Sequence, residues 1–367
     1  MNEGLAARRR TRRVMVGDVA VGAGAPVSVQ SMTNTDTSDA AATISQIRAL
    51  EAAGCEIVRV AVPDMEAAAR LGEIRHAAGI PLVADIHFDH RLALRALDEG
   101  VDGLRLNPGN IGSRRRVAEV ARAASGRGVP IRIGVNAGSL EKEILERHGR
   151  PTAQALVESA LRHVALLEDE GFGDIKISLK ASSVPMTVEA YRLISRKVDY
   201  PLHIGVTEAG TLFSGTVKSA VGLGVLLAEG IGDTLRVSIT GDPVDEVRIG
   251  WEILKALGLR ERGVTVVSCP TCGRLGFDCI AVASEVERRL SHVAEPVTVA
   301  VMGCVVNGPG EAREADIGVA GGRGAAMLYV RGEQVRKVSG EAVVEAVVEE
   351  VERLVADRSG RPSSAAG

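Results

Sequence analysis

Short apolar runs alternate with longer amphipathic segments between residues 27 and 240 of the chain. Each run is rich in valine and isoleucine and ends in polar residues, and the segment after it is rich in alanine, leucine, glutamate and arginine. This alternation is typical of parallel strands joined by right-handed helical crossovers. The predicted strands cover residues 27–32, 57–62, 81–86, 103–106, 131–135, 175–179, 202–206 and 234–239.

Eight such units in about 200 residues favour a closed (β/α)8 TIM barrel over an open doubly wound sheet. Helices are predicted between the strands, for example at residues 41–53, 65–76, 91–99 and 114–124. The first strand is not followed by a Gly-x-Gly-x-x-Gly turn, which argues against a dinucleotide-binding fold.

The pattern changes after Gly258, where the charged segment 260–263 indicates a hinge. Further strands are predicted at residues 264–267, 297–301, 316–319 and 327–330, with helices at 271–290 and 340–355. The sequence therefore predicts a barrel domain over residues 1–259 and a smaller α+β domain over 263–356. Residues 357–367 are rich in serine, arginine, glycine and alanine, which predicts a disordered tail.

Composition limits the classes of function. Apolar residues make up 46% of the chain and aromatic residues 2%, and the net charge is −3, which argues against a general nucleic-acid binder. We interpret the arginine-rich segment 8–13 as a solvated arm, because no aromatic residues interleave it for base stacking. No apolar stretch approaches the roughly 20 residues of a membrane span, and the start of the chain lacks the apolar core of a signal peptide. Five cysteines in a chain of this length indicate a reducing compartment, so we expect a cytoplasmic protein without a membrane or nucleic-acid partner.

Polar side chains gather where the predicted barrel strands end, which is where TIM barrels carry their chemistry. Five of them are cations within or beside short apolar strands, and the nearby acids Asp85 and Glu208 are too few to neutralise them. A phosphate or diphosphate would supply the missing negative charge. Glu208 would lie beside that anion, where a carboxyl group gains the raised pKa of a general acid. The five cations are Arg59, Arg105, Arg132, Lys180 and Arg236.

Three cysteines in the predicted second domain suggest a metal centre. Cys269 and Cys272 form a Cys-x-x-Cys turn, and Cys304 lies in a loop rich in glycine, proline and asparagine after an apolar run. Three thiolates suit either zinc or an iron–sulfur cluster, and spacing alone leaves both open. Zinc would need a fourth ligand, which Cys279 or His292 could provide, although the apolar surroundings of Cys279 and Cys55 favour buried packing.

Five motifs together resemble the 4-hydroxy-3-methylbut-2-enyl diphosphate synthase family of the non-mevalonate isoprenoid pathway. They are VSVQSMT at residues 27–33, LRLNPGNIG at 104–112, GVTEAG at 205–210, SCPTCGR at 268–274 and VMGCVVNGPGE at 301–311. The resemblance covers nearly the whole chain. Its two cysteine-bearing motifs are very specific in combination.

The resemblance implies an iron–sulfur oxidoreductase with a four-iron, four-sulfur (4Fe-4S) cluster on Cys269, Cys272 and Cys304, and with Glu311 on the fourth iron. It implies the reductive ring opening of 2-C-methyl-D-erythritol 2,4-cyclodiphosphate, with electrons from flavodoxin or ferredoxin and Glu208 as proton donor. It also implies a head-to-tail homodimer with shared active sites. For Asn107, Asp85, His87 and His203, an indirect role through hydrogen bonds to other site residues is at least as well supported as direct contact with the substrate. The implied substrate-binding residues are Arg59, Arg105, Asn107, Arg132, Asn136, Lys180, Arg236 and Ser238.

Two other functions remain open on the residues alone. A hydro-lyase would use the open iron only as a Lewis acid and would need no electron donor. A phosphate-binding module would use the three cysteines as a structural zinc site.

Overall fold

The computed structural model describes residues 4–270, 272, 275–322 and 324–360. The chain divides into two compact units between Arg260 and Glu261. The first unit is the predicted barrel, and the second is a smaller unit of mixed sheet and helices.

Ten strands belong to the first unit. An antiparallel hairpin is followed by eight parallel strands, whose neighbours in the sheet follow the chain order except where β3 pairs with β10. A bridge between Ile177 and Leu202 joins the two edge strands and closes the barrel. The strands are β1 (Val14–Val16), β2 (Val19–Val21), β3 (Ser28–Met32), β4 (Ile57–Ala61), β5 (Leu82–Asp85), β6 (Gly103–Leu106), β7 (Ile131–Asn136), β8 (Ile175–Lys180), β9 (His203–Ile204) and β10 (Thr234–Leu235).

Nine helices surround these strands, and most begin at an aspartate, serine or threonine that accepts a backbone N–H, the usual N-cap arrangement. Short 3-10 turns at Pro108–Asn110 and Ala137–Ser139 follow β6 and β7. The helices are α1 (Ala40–Ala52), α2 (Met65–Ala77), α3 (His90–Asp98), α4 (Arg114–Arg127), α5 (Lys142–His148), α6 (Ala153–Glu168), α7 (Val184–Ser195), α8 (Leu212–Ala228) and α9 (Pro243–Ala256).

The last two barrel strands are shorter than the sequence predicts. Residues 202–206 and 234–239 contain only the two-residue strands β9 and β10. Beyond them the backbone turns into the loops of the barrel mouth, and Glu208 and Gly210 adopt positive φ angles of 53° and 113°. The apolar residues therefore continue along the chain beyond the last residues that are hydrogen-bonded within the sheet.

Arg8 and Arg9 are half-buried rather than part of a solvated arm, which corrects the sequence-based interpretation for these two residues, whereas Arg10, Arg12 and Arg13 are exposed. Arg8 forms an ion pair with Asp233, and Arg12 stacks over the ring of Tyr200. Arg9 donates hydrogen bonds to three backbone carbonyls at and after the end of α7, those of Ser195, Val198 and Tyr200. The next segment forms the hairpin β1–β2, whose valines pack on β4 and β5. The pattern of the sequence did not predict this hairpin.

The second unit has a five-stranded sheet in chain order, parallel among its first three strands and antiparallel after them. The predicted helix at 271–290 begins only at Cys279, and a helix at Gly308–Glu314 and a strand at Glu333–Ser339 were not predicted. The last helix extends to Ser359, into the predicted tail, and residues 361–367 lie outside the described residues. The elements are β11 (Val264–Ser268), α10 (Cys279–Arg289), β12 (Val297–Met302), α11 (Gly308–Glu314), β13 (Ile317–Gly322), β14 (Ala325–Val330), β15 (Glu333–Ser339) and α12 (Val343–Ser359).

One barrel helix, α8, presents an apolar outer face. Phe213, Val217 and Val221 are exposed at a spacing of four residues, and Phe213 is 81% exposed. Lys218 is the single charged residue of this helix. No helix in the described part of the chain combines the length and apolar character needed to cross a membrane.

We predict that Arg9→Ala lowers the free energy of unfolding of the barrel by about 1–3 kcal/mol, because buried carbonyls lose their donor. Urea denaturation followed by circular dichroism measures the effect. Arg10→Ala is the matched control, since Arg10 belongs to the same basic segment but is exposed. Equal stability of the two variants would restore the interpretation as a solvated arm.

Candidate active site

Arg59, Arg105 and Lys180 lie within or at the end of the barrel strands β4, β6 and β8, whereas Arg132 is the second residue of β7. Arg105 on β6 is in register with Arg132 on β7, and Asn136 at the end of β7 is in register with Lys180 at the end of β8. Arg59, Arg105, Arg132 and Lys180 are all buried, and Arg236 follows β10 in a half-buried position with Ser238 two residues later. The structure therefore places these residues on barrel strands or directly after them, and Arg132 lies nearer the start of its strand than the others.

Asp85 neutralises part of this charge. Its carboxylate lies 3.0 Å from Arg105 Nη1 and 3.6 Å from Arg59 Nε. Burial alone would raise the pKa of Asp85, but the positive charge of Arg59 and the hydrogen bond from His87, followed by the charge of Arg105, hold it well below its usual range. Asp85 is therefore a structural counter-ion, and His87 contacts both Asp85 and Arg105.

Glu246 on α9 is a second counter-ion, which the sequence analysis missed. It lies 3.3 Å from Arg236 Nη2 and accepts hydrogen bonds from Ser31 and from the backbone of Ile239. The sequence feature that could have identified Glu246 is an acidic residue on the buried face of an amphipathic helix, beside Val247. Glu208, which the sequence analysis counted as a nearby acid, forms no ion pair with the described cations.

Arg132 and Lys180 stay without an acidic partner among the described residues. The Nη1 of Arg132 donates to Ser178, whereas its Nε and Nη2 are buried without a hydrogen-bond partner. Burial lowers the pKa of Arg132, and Arg59 and Arg105 lower it further; burial also lowers the pKa of Lys180. An anion between these side chains would offset both the loss of solvation and the repulsion from the neighbouring cations. The other buried side-chain polar atoms without a partner among the described residues belong to Arg9, Gln30, Thr33, Thr37, Arg105, His203, Ser219 and Arg236.

Two glycines make room for the cations. A Cβ atom at Gly134 on β7 would lie 2.3 Å from Arg105 Nε, and Arg105 also donates to the Gly134 carbonyl. A Cβ at Gly205 would lie 3.0 Å from Lys180 Nζ. Asn107 accepts a hydrogen bond from the Gly134 N–H at 3.0 Å, so its carbonyl oxygen is occupied and its amide nitrogen is the group that can donate to a ligand.

Two further titratable groups lie inside the barrel. Burial lowers the pKa of Lys176 to about 7, and the charge of Arg132 contributes. His203 is buried, and burial followed by the charge of Arg132 lowers its pKa well below the usual value. His203 is therefore neutral near pH 7, and it adds no charge to the anion site.

Glu208 lines an open groove of about 850 Å³ beside the cations. Asn136, Arg150, Ser182 and Thr207 line the same groove. Glu208 is exposed, and its φ of 53° is a conformation that non-glycine residues rarely adopt. Such backbone strain is concentrated at functional sites, so it makes Glu208 a candidate for a direct role in the chemistry.

The parallel strands β11 and β12 bring two of the predicted metal ligands together. Ser268 is in register with Val301, so Cys269 and Cys304 both follow strand ends at the same edge of the sheet. The Gly303 N–H donates to Cys269 Sγ at 3.3 Å. Cys279 is buried, as predicted, yet its sulfur lies 3.8 Å from that of Cys269.

The donor set of this sheet edge fits an iron–sulfur cluster. Hydrogen bonds to cysteine sulfurs are one means by which proteins tune iron–sulfur clusters, and Cys269 Sγ accepts one from the Gly303 N–H. Cys272 is exposed, and Glu311 is exposed on α11. Among the described residues, no three His, Cys, Asp or Glu side chains are close enough together to form a metal site. Cys269 and Cys304 are therefore near one edge of the sheet, and the described residues do not form a complete coordination sphere there.

Comparisons with known proteins point to the same family for both parts of the chain. A family model described as the GcpE TIM-barrel domain matches residues 11–251, and one described as the GcpE protein C-terminal domain matches residues 265–353. The 4-hydroxy-3-methylbut-2-en-1-yl diphosphate synthase (flavodoxin) of Geobacter sulfurreducens is 65% identical over 351 residues, which cover 96% of this chain and 99% of that protein. The protein of the same name from Symbiobacterium thermophilum is 63% identical over 356 residues, 96% of each chain.

We predict that Arg132→Ala weakens the binding of inorganic diphosphate at least tenfold, because a charge-assisted contact in a buried site is worth about 2–5 kcal/mol. Isothermal titration calorimetry measures the affinity. Arg192→Ala is the control, since Arg192 pairs with Glu229 on the outside of the barrel. An unchanged affinity in the Arg132 variant would mean that this arginine serves the fold alone.

Proposed function

The chain belongs to the GcpE family, and on that premise we propose that it converts 2-C-methyl-D-erythritol 2,4-cyclodiphosphate to 4-hydroxy-3-methylbut-2-en-1-yl diphosphate. It is an oxidoreductase of isoprenoid biosynthesis, as the names of its relatives indicate. The observation that carries the proposal is the pair of buried cations, Arg132 and Lys180, without acidic partners among the described residues. A cyclic diphosphate supplies the negative charge that they lack.

The barrel mouth binds the diphosphate through two kinds of cation. Arg59, Arg105 and Arg236 are held by Asp85 and Glu246, so their guanidinium groups are oriented before the substrate arrives. Arg132 and Lys180 have no such partner and make the strongest charge-assisted contacts with the phosphate oxygens. Asn107, Asn136 and Ser238 add neutral hydrogen bonds. This division supports a site that is preorganised and still electrostatically incomplete.

Glu208 is the proton donor in this proposal. Ring opening removes one oxygen as water, so the departing oxygen must receive a proton. Glu208 lies on the groove that Asn136 also lines, which is the rim next to the anion-binding cations. Its carboxyl oxygen holds the proton and passes it to the departing oxygen.

We propose that Cys269, Cys272 and Cys304 would hold the iron–sulfur cofactor, assigned as a 4Fe-4S cluster, and that Glu311 would be its fourth protein ligand. When bound, this cofactor supplies single electrons and a Lewis-acidic iron for cleavage of the carbon–oxygen bond. A carboxylate exchanges on iron more readily than a thiolate, which gives Glu311 a reason to stand where a fourth cysteine would otherwise complete the set. The relatives' names support flavodoxin as the electron donor.

We predict that anaerobically purified protein contains iron and sulfide and converts the cyclodiphosphate only when reduced flavodoxin or ferredoxin is present. Cys304→Ser removes a ligand and should give colourless, inactive protein whose barrel still folds, because the ligands lie outside that unit. Metal analysis, visible absorption and mass spectrometry of the product measure these outcomes.

Cys55→Ala is the matched control, since Cys55 is buried in the barrel core. It should retain both colour and turnover. Turnover without an electron donor would instead favour the hydro-lyase. Stoichiometric zinc without iron after anaerobic reconstitution would favour the zinc-containing binding module.

We also propose that two chains form a head-to-tail homodimer in which the barrel of one chain works with the cysteine-bearing unit of the other. The resemblance to the family implies this arrangement. The apolar face of α8 gives it physical support, because Phe213, Val217 and Val221 are exposed and Lys218 is the one charge on the helix. Such a face is suited to burial against a second copy related by two-fold symmetry.

We predict that inactive Cys304→Ser chains mixed with inactive Glu208→Gln chains regain activity once subunits exchange. Each mixed dimer has one site with an intact barrel and an intact cluster. Equal amounts should therefore recover about a quarter of the wild-type activity, because half of the dimers are mixed and each has one working site. No recovery at any mixing ratio would mean that each chain completes its own site.

A further inference from the structure

His163, which the proposed mechanism does not use, connects two loops of the barrel mouth. It lies on α6, and its side chain is 3% exposed. The N–H of Gly109, in the loop after β6, donates to its Nδ1 at 3.0 Å. Its Nε2 lies 3.0 Å from the carboxylate of Glu141, in the loop after β7. One buried imidazole therefore bridges the two loops.

The hydrogen bonds determine the protonation of this histidine. Because Nδ1 accepts a backbone N–H, it carries a lone pair, and the ring proton belongs to Nε2, which donates to Glu141. Burial alone would raise the pKa of Glu141, but hydrogen bonds from His163, the backbone and Ser159 hold it at about 2. Glu141 is therefore an anionic acceptor, and its second oxygen accepts from Ser159 at 2.8 Å.

Both loops carry residues of the substrate site. Asn107 precedes Gly109, and its backbone carbonyl accepts from Asn110 at 2.9 Å, so the turn that contains Gly109 also holds Asn107. Asn136 precedes the turn that ends at Glu141. A Cβ at position 109 would lie 2.5 Å from the His163 ring, so the close approach of loop and ring requires glycine.

We propose that His163 is a positioning residue, which in its neutral Nε2–H form fixes the loop of Asn107 relative to the loop of Asn136 and so sets their spacing for the substrate. This inference depends on the proposed function for the identity of the substrate. The coupling of the two loops itself does not.

Two half-mimics of histidine separate its two contacts. Asparagine places a carbonyl oxygen near the position of Nδ1, so His163→Asn keeps the acceptor for Gly109 and loses Glu141. Glutamine places an N–H2 near the position of Nε2, so His163→Gln keeps Glu141 and leaves the Gly109 N–H unsatisfied. Amide hydrogen exchange should therefore increase over residues 107–112 in His163→Gln and over residues 136–141 in His163→Asn. A purely structural role would loosen both loops, and α6, equally in the two variants.

Steady-state kinetics provide the second measurement. The loops bind the substrate equally in the ground and transition states, so both variants should raise KM for the cyclodiphosphate while kcat stays near the wild-type value. The increase in KM should be about three- to tenfold, the cost of one misplaced hydrogen bond.

His148→Gln is the matched control. His148 also contacts a glutamate, Glu158, at 2.9 Å through Nε2, but it is part-exposed and this contact joins α5 to α6 rather than two mouth loops. Exchange over residues 107–112 and 136–141 and KM should stay unchanged in this variant. If the His163 variants do not fold, Gly109→Ala tests the same contact from the exposed loop side and should raise KM with kcat kept.

Failure of the His163 proposal can be distinguished from failure of the proposed function. Unchanged exchange and unchanged KM in His163→Gln would overturn the proposal, as would an equal effect of His148→Gln. If the wild-type protein does not convert the cyclodiphosphate at all, the proposed function fails. The crossed exchange pattern would then still decide whether His163 couples the loops.

Discussion

Buried positive charge without matching acid is the constraint on which the barrel mouth depends. Arg132 and Lys180 are buried on the adjacent strands β7 and β8, and each unpaired buried charge costs several kcal/mol. The fold tolerates this cost because the rest of the barrel unit has a large apolar core of valine, leucine, isoleucine and alanine. A ligand that neutralises the charge binds only the folded state, so substrate binding and barrel stability are linked.

The two counter-ions, Asp85 and Glu246, leave unpaired positive charge only at Arg132 and Lys180 among the five predicted cations. Asp85 holds Arg59 and Arg105, and Glu246 holds Arg236, so three guanidinium groups are oriented without a ligand. If acids balanced all five cations, the site would gain little from an anion. If none were balanced, mutual repulsion would displace the side chains. Because only some of the cations are paired with acids, the paired side chains are held in place while the site keeps a net positive charge that attracts a diphosphate.

The repeating pattern was sufficient to predict the barrel, its eight strands and the strand ends that carry the cations. It could not predict Glu246, because the ion pair depends on how α9 packs against the mouth rather than on local periodicity. The helix α11, which carries Glu311, was missed because glycine, proline and asparagine around residues 307–310 indicate a loop; here Pro309 occupies the first turn, where proline is tolerated. Arg9 appeared to be a solvated charge because the carbonyls it binds lie some 190 residues away in the chain.

One geometric rule produces the candidate sites of both units. Parallel strands place their carboxyl ends at a common edge, so residues far apart in the chain meet there. In the barrel this edge gathers cations, and in the second unit β11 and β12 gather Cys269 and Cys304. The barrel site also needs a glycine, because a Cβ at Gly134 would lie 2.3 Å from Arg105 Nε. Arg105 can therefore reach its position only because the neighbouring strand has no side chain there, which makes Gly134 as necessary to the site as the residue it accommodates.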